Sequence, residues 1–303
     1  MVAEAYGRLE LPAVIQFRIF SEGSMAATHN VDSAVVESFG REWKKFDHTE
    51  IDRAHLRPIF DAYFRVFPWD ALPPQSRGFD MGCGTGRWAQ FVAERVGSLT
   101  CVDPSPDALS VARKNLGELH NCHSEIGTAN DNCLREDVYD FGYSIGVLHH
   151  VPDTAAALRS CVTKLKPGAP FLLYLYYRFD NRPLWFRTLW KVTDGARRAI
   201  SRLPFALRSA ACEFIAGTIY WPLARLAKLA ERCGLNSEAL PLSAYRSRSF
   251  YAMRTDALDR FGTRLEKRFT RSEIAKMMQS AGLSEIRFSE APPFWCAVGF
   301  RSS

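Results

Sequence analysis

Residues 77–86 read Arg77-Gly-Phe-Asp-Met-Gly-Cys-Gly-Thr-Gly86, and this stretch decides the fold. Glycines at alternate positions let a strand turn sharply into a helix, and they leave the backbone bare enough for a ligand to lie on it. The next apolar segment, Leu99-Thr-Cys-Val-Asp103, ends in an acidic residue. An acidic side chain at the tip of the second strand is where a parallel α/β sheet holds ribose hydroxyls. Together the two features predict an α/β domain that binds a nucleoside.

The spacing of the glycines distinguishes two kinds of cofactor site. A dinucleotide fingerprint has the form G-x-G-x-x-G, and Arg87 stands here in place of its third glycine. The pattern is instead D-x-G-x-G-x-G, for which a plain tight turn is the alternative interpretation. The sequence therefore disfavours a dinucleotide cofactor.

Strands and helices alternate from Arg77 onward, which is typical of a parallel sheet. The first two strands are predicted to end at Asp80 and Asp103, and three more are predicted at 124–127, 140–148 and 170–177. Helices are expected at 87–96, 106–116, 154–165 and 271–281, and two further strands at 286–289 and 295–301 would form an antiparallel hairpin. Apolar residues at helical spacing between Val31 and Phe67 predict a helical layer before the sheet.

We expect four segments along the chain. These are an N-terminal extension with the helical layer (1–74), the α/β core (75–177), a helical insertion (178–268) and a helix with a hairpin that completes the core (269–303). The first two dozen residues resemble a loosely structured extension without the basic start and cleavage pattern of a signal peptide. No apolar run is long enough to cross a bilayer.

The net charge of +6 is unevenly distributed. Residues 178–268 contain 18 Lys or Arg and 8 Asp or Glu, a balance of +10 that leaves −4 for the rest of the chain. Large apolar side chains such as Trp185 and Leu189 lie among these arginines, as in helices that contact an anionic membrane surface. A helical cap with solvated arginines and a phosphate-binding surface for RNA are the alternatives.

The eight cysteines are scattered and form no C-x-x-C motif. We expect reduced, packed thiols in a cytosolic protein. His120-Asn-Cys-His123 lacks a second ligand pair at useful spacing, so no metal site is expected.

Four motifs, in their order and separation, resemble those of class I S-adenosylmethionine (SAM)-dependent methyltransferases. They are FDMGCGTG (79–86), VDPSPDALSVAR (102–113), DFGYSIGVLHHVPD (140–153) and LKPG (165–168). The group they resemble includes quinone-biosynthesis and many small-molecule methyltransferases. The resemblance covers about 77–177 and the last thirty-odd residues. It implies a Rossmann-like, mostly parallel sheet with an antiparallel C-terminal hairpin, and SAM as the cofactor.

The resemblance also implies a role for each matching residue. The glycine loop would approach the methionine part of SAM, Asp80 would help to hold its ammonium group, and Asp103 would accept hydrogen bonds from both ribose hydroxyls. Pro104 would pack on the adenine, and Gly146 would let a carbonyl approach the sulfonium. Thr128-Ala129 stands where the family has an acidic residue near the adenine, which is a departure from the pattern. The implied cofactor-binding residues are Asp80, Gly82, Cys83, Gly84, Gly86, Asp103, Pro104, Thr128, Ala129 and Gly146.

Methyl transfer from an activated donor depends mainly on aligning the nucleophile. A hydroxyl acceptor also needs a base, and His149 and His150 are candidates because imidazole titrates near neutrality. Packing is the alternative role for both histidines. Arg254, Asp256 and Arg260 are candidate acceptor-binding residues, although a salt-bridge network closing the insertion would explain them equally well.

The sequence therefore predicts a cytoplasmic SAM-dependent methyltransferase that acts on a small-molecule or lipid-like acceptor, at oxygen in preference to nitrogen or carbon. Peripheral membrane contact through the insertion is part of this prediction. An RNA or tRNA methyltransferase and a SAM-binding protein without activity are the alternative functions.

Overall fold

The computed structural model describes residues 30–45, 53–237, 240–262 and 265–303. Its centre is a seven-stranded sheet in the order β3-β2-β1-β4-β5-β7-β6. The strands are β1 (Arg77–Met81), β2 (Ser98–Asp103), β3 (Cys122–Ile126), β4 (Phe141–Ile145), β5 (Pro170–Tyr174), β6 (Leu283–Phe288) and β7 (Ala297–Arg301). Among the described strands, only β7 runs opposite to the others, and it is antiparallel to both of its neighbours, β5 and β6. This confirms the predicted α/β fold with an antiparallel hairpin at its end.

The strand order reverses between β1 and β4, which pair directly. In an open α/β sheet the carboxyl ends of the strands on either side of such a reversal leave a crevice for a ligand. The glycine loop follows β1, and residues 146–150 follow β4, so both predicted site segments lie at this crevice.

Helices cover both faces of the sheet. Helices α1 (Ser33–Lys45), α2 (Arg53–Tyr63), α3 (Ala89–Val92) and α4 (Pro106–Asn115) precede or join the first strands, whereas α5 (Thr154–Val162) and α10 (Arg271–Ser280) belong to the later half. One apolar core contains Phe79, Phe171 and Met278, and the other contains Phe60, Phe91 and Tyr143. Alternate residues of β5 face opposite cores, with Phe171 and Leu173 in the first and Leu172 in the second, as strand periodicity requires.

The insertion between β5 and α10 is helical. It consists of α6 (Leu184–Ile200), α7 (Phe205–Ile215), α8 (Trp221–Arg232) and α9 (Phe250–Gly262), with a π-helical turn over Ala216–Tyr220 that joins α7 to α8. These helices have a small core of their own, which includes Cys212, Tyr220 and Met253. None of the described helices combines the length and apolar character needed to span a membrane.

Several elements are shorter than the sequence predicted. β4 ends at Ile145, and the two histidines lie on a 3₁₀ turn, Leu148–His150, because Gly146 has a positive φ of 74° and breaks the extended backbone. β5 ends at Tyr174, although Tyr177 still pairs with Phe269 in an isolated bridge. The helical layer consists of α1 and α2. Two segments lie outside the described residues, namely the N-terminal extension (1–29) and the connection between α1 and α2 (46–52).

Candidate active site

A cavity of about 970 Å³, measured with its open mouth, lies at the carboxyl ends of β1, β2 and β4. Its floor is formed by the glycine loop, the tip of β2, the turn after β3 and the end of β4. Helix α1 closes one side with Val35, Val36, Phe39 and Trp43. The cavity therefore lies where the sequence predicted the cofactor.

The glycines of the loop serve two different purposes. Gly82 and Gly86 have φ values of 82° and 76°, and a Cβ atom would lie 2.4 Å from the Val147 side chain or 2.8 Å from that of Leu116. Gly84 has a φ of 55°, and a Cβ there would meet only Trp43, at 3.5 Å, on the cavity side. Gly82 and Gly84 line the cavity, whereas Gly86 is absent from its described lining and packs on α4. Gly86 is therefore required by packing, and its role toward the cofactor stays a prediction.

Asp103 is held rigidly at the tip of β2. Its carboxylate accepts hydrogen bonds from the backbone N–H of Gly84 and of Ser105, each at 2.9 Å. Burial raises the pKa of Asp103 to about 6, although the two backbone donors oppose this shift. The residue lines the cavity, so its remaining lone pairs can accept hydrogen bonds from a ligand there.

Asp80 is buried within the sheet and does not line the cavity. It pairs in register with Cys101 of β2 and Tyr143 of β4, and its side chain is buried with only 2% exposure. Burial raises the pKa of Asp80 to about 8, and the charge of Asp103 acts in the same direction. The lining of the cavity includes the following residue, Met81, but not Asp80. Any contact of the Asp80 carboxyl with a cofactor would therefore be indirect.

The remaining predicted cofactor residues line the cavity. Cys83, Pro104, Thr128, Ala129 and Gly146 are all part of its wall. Thr128 Oγ1 accepts a hydrogen bond from the backbone N–H of Asp131 at 2.9 Å, so the turn after β3 is fixed by its own side chain. A Cβ atom at Gly146 would meet nothing within 4 Å, so it would occupy space that is open to a ligand.

The two histidines have different surroundings. His150 is 6% exposed and lines the cavity, where its ring lies 4.9 Å from that of Phe39. Its Nδ1 lies 2.7 Å from the carbonyl oxygen of Leu265, while Nε2 is buried without a hydrogen-bond partner among the described residues. A carbonyl can only accept, so Nδ1 carries the proton and Nε2 presents a lone pair.

His149 faces away from the cavity. It is fully buried, and its ring packs at a tilt against that of His150, at 3.9 Å between ring centroids, and that of Tyr176, at 4.0 Å. Both ring nitrogens lack a partner within the described part of the chain, and burial holds the pKa of His149 well below its usual value. Of the two histidines that the sequence proposed as a base, the structure brings only His150 to the cavity wall.

The predicted acceptor-binding residues lie on α9. Arg260 Nε lies 3.4 Å from an Asp256 carboxylate oxygen one turn away, and both side chains keep partial exposure, 36% and 25%. Arg254 pairs instead with Glu213 of α7 at 3.0 Å, within the insertion. The ion pairs of the alternative interpretation are therefore present, while the partial exposure of Asp256 and Arg260 leaves them accessible to a ligand.

Phenol groups surround this part of α9. The charge of Asp256 raises the pKa of Tyr220 and of Tyr245, both in the insertion, and the charge of Arg260 lowers them. Asp256 also raises the pKa of Tyr63 at the end of α2. Burial raises the pKa of Tyr63 to about 12, so its hydroxyl stays protonated. Tyr63 also contacts Trp88, which lines the cofactor cavity, at a ring distance of 5.4 Å. The region between α9 and the strand ends is therefore polar and adjoins the cavity; we call the side chains of Tyr63, Asp256 and Arg260 the polar region.

Sequence reasoning missed Tyr176 and Asp259. Tyr176 Oη donates a hydrogen bond to Asp259 Oδ2, which connects the end of β5 to α9. Asp259 lies three residues after Asp256, on the same face of a helix, and Tyr176 lies two residues after Tyr174, on the same side of an extended chain. Those spacings were the available signals.

The cavity fits an adenosyl cofactor by its own chemistry. It offers a buried carboxylate at the ribose position, a glycine loop in which Gly84 faces the open side, and space beside Gly146 that a side chain would fill. Apolar residues of α1 close it from above.

Comparisons with known proteins agree with this geometry. Residues 79–173 match a family model described as a methyltransferase domain. A ubiquinone biosynthesis O-methyltransferase of Xanthomonas campestris pv. campestris (strain B100) is 29% identical over 185 residues, which are 54% of this chain and 74% of that protein. The protein of the same name from Pseudomonas aeruginosa (strain LESB58) is 29% identical over 230 residues, covering 68% of this chain and 95% of its own length.

Among solved structures, a phosphoethanolamine N-methyltransferase 2 of Haemonchus contortus in complex with S-adenosyl-L-methionine has a TM-score of 0.47 at 15% identity, covering 84% of this chain and 43% of that one. The family match spans the strands that build the cavity, from β1 to β5. Residues 79–173 thus form a methyltransferase domain, and the motifs and relatives of the chain are those of class I S-adenosylmethionine-dependent methyltransferases.

Proposed function

We propose that the protein methylates a hydroxyl group of a small or lipid-like acceptor, with His150 as the base. When bound, SAM supplies a methyl group that the acceptor oxygen takes as the carbon–sulfur bond breaks and its electron pair stays on sulfur. The observations that carry the proposal are that His150 lines the cofactor cavity and that its Nε2 has no hydrogen-bond partner among the described residues.

The proton of the acceptor hydroxyl needs a destination as the new bond forms. The Leu265 carbonyl keeps the proton of His150 on Nδ1, so Nε2 is available to receive it. A nitrogen acceptor that reacts as a free amine needs no base in the same step, so the presence of an oriented, buried base favours oxygen. The names of the two relatives, both O-methyltransferases, agree with this proposal.

We propose the polar region as the place where the acceptor binds. It lies between α9 and the strand ends, and Tyr63 connects it to the cofactor cavity through Trp88. Asp256 Oδ2 lies 3.4 Å from Arg260 Nε, and Asp256 also interacts with the hydroxyls of Tyr220 and Tyr245. Because the side chains of Asp256 and Arg260 keep 25% and 36% exposure, polar groups of an acceptor can contact them.

The test is transfer of labelled methyl groups from SAM to the small molecules of a cell extract. Wild-type protein should label a low-molecular-weight product at an oxygen atom, and His150→Gln should lose the transfer while binding SAM with an unchanged Kd in calorimetry. His123→Gln, an exposed histidine of β3, is the matched control. A product labelled at nitrogen or carbon, or full activity of His150→Gln, would contradict the proposal.

We also propose that the outer face of the insertion contacts an anionic membrane surface. Of the 14 large apolar side chains that are exposed in the described residues, 13 lie between Leu184 and Phe250. On α6, Trp185, Leu189 and Val192 form one stripe with exposures of 54%, 46% and 69%, and Arg187 and Lys191 beside them are also exposed. Apolar patches of this extent mark interaction surfaces, and apolar residues flanked by basic ones fit an anionic bilayer better than RNA.

Co-sedimentation with vesicles tests this contact. The full chain should pellet with vesicles that contain phosphatidylglycerol and much less with vesicles of phosphatidylcholine alone. The double substitution Trp185→Ala and Val192→Ser should reduce pelleting, whereas Ile126→Ser, which removes an equally exposed apolar side chain of β3, should not. Failure to pellet, or salt-sensitive binding to RNA in its place, would sink the idea.

A further inference from the structure

A carboxyl group and a phenol lie behind the two histidines. Tyr176, just after β5, donates its hydroxyl hydrogen bond to Asp259 of α9. The ring of Tyr176 packs at a tilt on that of His149 and edge-on against that of His150, and the rings of His149 and His150 also contact each other. His150 is therefore supported from behind by one continuous set of contacts that ends at Asp259.

We infer that Asp259, held in place by Tyr176, is a positioning residue that supplies the counter-charge to His150 when His150 takes the acceptor proton. This inference rests on the proposed function of His150. The proton moves from the acceptor hydroxyl to Nε2, while the Nδ1 proton stays on Nδ1, hydrogen-bonded to the Leu265 carbonyl, so the ring becomes an imidazolium. A positive charge then appears on a side chain that is only 6% exposed, and a buried charge without a partner is strongly unfavourable.

The charges around Asp259 suit this role. Burial raises its pKa, and Asp256 and Glu266 act in the same direction, whereas a charged His150 and the Tyr176 hydroxyl lower it. Glu266 is itself paired with Arg268 at 2.7 Å, and His150 is a neighbour of Asp259 whose positive charge lowers the pKa of the Asp259 carboxyl. The pKa of the Asp259 carboxyl is therefore lowest, and its ionised state most favoured, when His150 carries a positive charge.

Tyr176 fixes the direction in which the carboxylate points. Its ring contacts that of His149, at 4.0 Å between ring centroids, and the guanidinium of Arg268, 5.2 Å from the ring centroid. These contacts and the hydrogen bond to Asp259 together hold the phenol in place. The hydrogen bond between the strand end and α9 therefore places the counter-charge.

The first experiment compares four variants of the full chain: Asp259→Asn, Asp259→Glu, Tyr176→Phe and the exposed control Asp61→Asn. Label transfer to a dilution series of the extract gives the maximal rate and the apparent KM, and calorimetry gives the Kd for SAM. We expect Asp259→Asn to lower the maximal rate about tenfold or more with little change in apparent KM or Kd, and Asp259→Glu to recover part of it. Loss of SAM binding in Asp259→Asn, or no loss of rate, would overturn the inference.

The second experiment does not depend on activity. Carbon NMR of labelled aspartate, assigned with Asp259→Asn, follows the titration of the Asp259 carboxyl in the wild type, in His150→Gln and in the control His123→Gln. Removing the ionisable ring at 150 should raise the pKa of Asp259, and the control should leave it unchanged. Equal titration in all three proteins would overturn the inference. If the wild type binds SAM but labels no acceptor, the proposed function fails, while this titration still decides the coupling.

Discussion

The carboxylate of Asp103 accepts a hydrogen bond from the backbone N–H of Gly84 at 2.9 Å, so the tip of β2 is tied directly to the glycine loop that follows β1. The second carboxylate oxygen accepts from Ser105 in the same way. The loop and the acidic residue therefore form one rigid unit, and each depends on the other for its position at the cavity.

Replacing Asp103 with alanine should abolish SAM binding. The substitution removes the acceptor for the ribose hydroxyls and leaves the Gly84 and Ser105 amides without their partner. Hydrogen bonds to a charged group contribute about 1.5–3 kcal/mol each, so the loss of two predicts a Kd at least 100-fold higher. Calorimetry with SAM measures it, and Asp61→Ala on the surface of α2 is the control. A Kd within a factor of three of the wild type would refute the assignment.

SAM binding should weaken as the pH falls below 6. The pKa of Asp103 is about 6 in the free protein, and only the carboxylate accepts two hydrogen bonds from ribose. Protonation of the free site therefore competes with binding, and the Kd should rise by about tenfold between pH 7 and pH 5. Asp103→Asn, which has no proton to gain, should bind weakly with a flat profile. A flat profile in the wild type would show that this carboxyl group is not at the ribose.

Asp80 should make the fold less stable as the pH rises from about 4 to about 8. Its pKa in the folded chain, about 8, is above the usual 3.8, so the folded state keeps a proton that the unfolded state releases. The free energy of unfolding then falls with pH by up to about 1.4 kcal/mol per unit from this group. Asp80→Asn stays neutral, so in urea denaturation it should match the wild type at pH 4 and exceed its stability at pH 9. Parallel pH profiles of the two proteins would contradict the buried position of the carboxyl group.

Gly146 and Gly168 form a matched pair for testing the cavity. Their φ values are 74° and 77°, and a Cβ atom at either position would meet nothing within 4 Å. Alanine should therefore cost each protein a similar free energy of unfolding, about 1–2 kcal/mol, through backbone strain alone. Only Gly146 lines the cavity, so only Gly146→Ala should also weaken SAM binding. Equal Kd values for the two variants would mean that the cofactor does not approach Gly146.

His149→Phe should keep the fold and the label transfer. Phenylalanine preserves the ring stack with His150 and Tyr176, and it removes two buried nitrogens that have no partner among the described residues. Removing unsatisfied buried polar atoms is neutral or stabilising, by up to about 1–3 kcal/mol. His149→Ala, which opens a cavity behind His150, should lose both stability and transfer. If His149→Phe lost transfer while keeping the Tm, the base would be His149.

Local patterns in the sequence were sufficient to predict the sheet and the part of the cavity lining that follows its strands. The glycine loop, Asp103 and Gly146 each combine a turn with a chemical function that is written into neighbouring residues. The C-terminal hairpin also follows from local signals, since an apolar segment, a Pro-Pro turn and a second apolar segment can pair only with each other or with the open edge of β5. Such features need no knowledge of distant parts of the chain.

The rest depended on contacts between distant residues. Whether Asp80 faces the cavity or the helical layer is set by the register of β1 against β2 and β4, which the strand pattern alone does not give. The sequence does not distinguish Gly86 from its neighbouring glycines, because its special feature is contact with Leu116, just after α4. Asp259 and Tyr176 meet only because α9 packs at the end of β5, and no sequence spacing predicts how an insertion docks on its core.

Phe39 of α1 lies 4.9 Å from the ring of His150, and the same helix covers the cofactor cavity. One helix is thus a common wall for the cofactor cavity and for the proposed base. If α1 moves aside when a cofactor leaves, His150 loses one of its supports at that moment. We therefore expect cofactor exchange to be coupled to the position of His150.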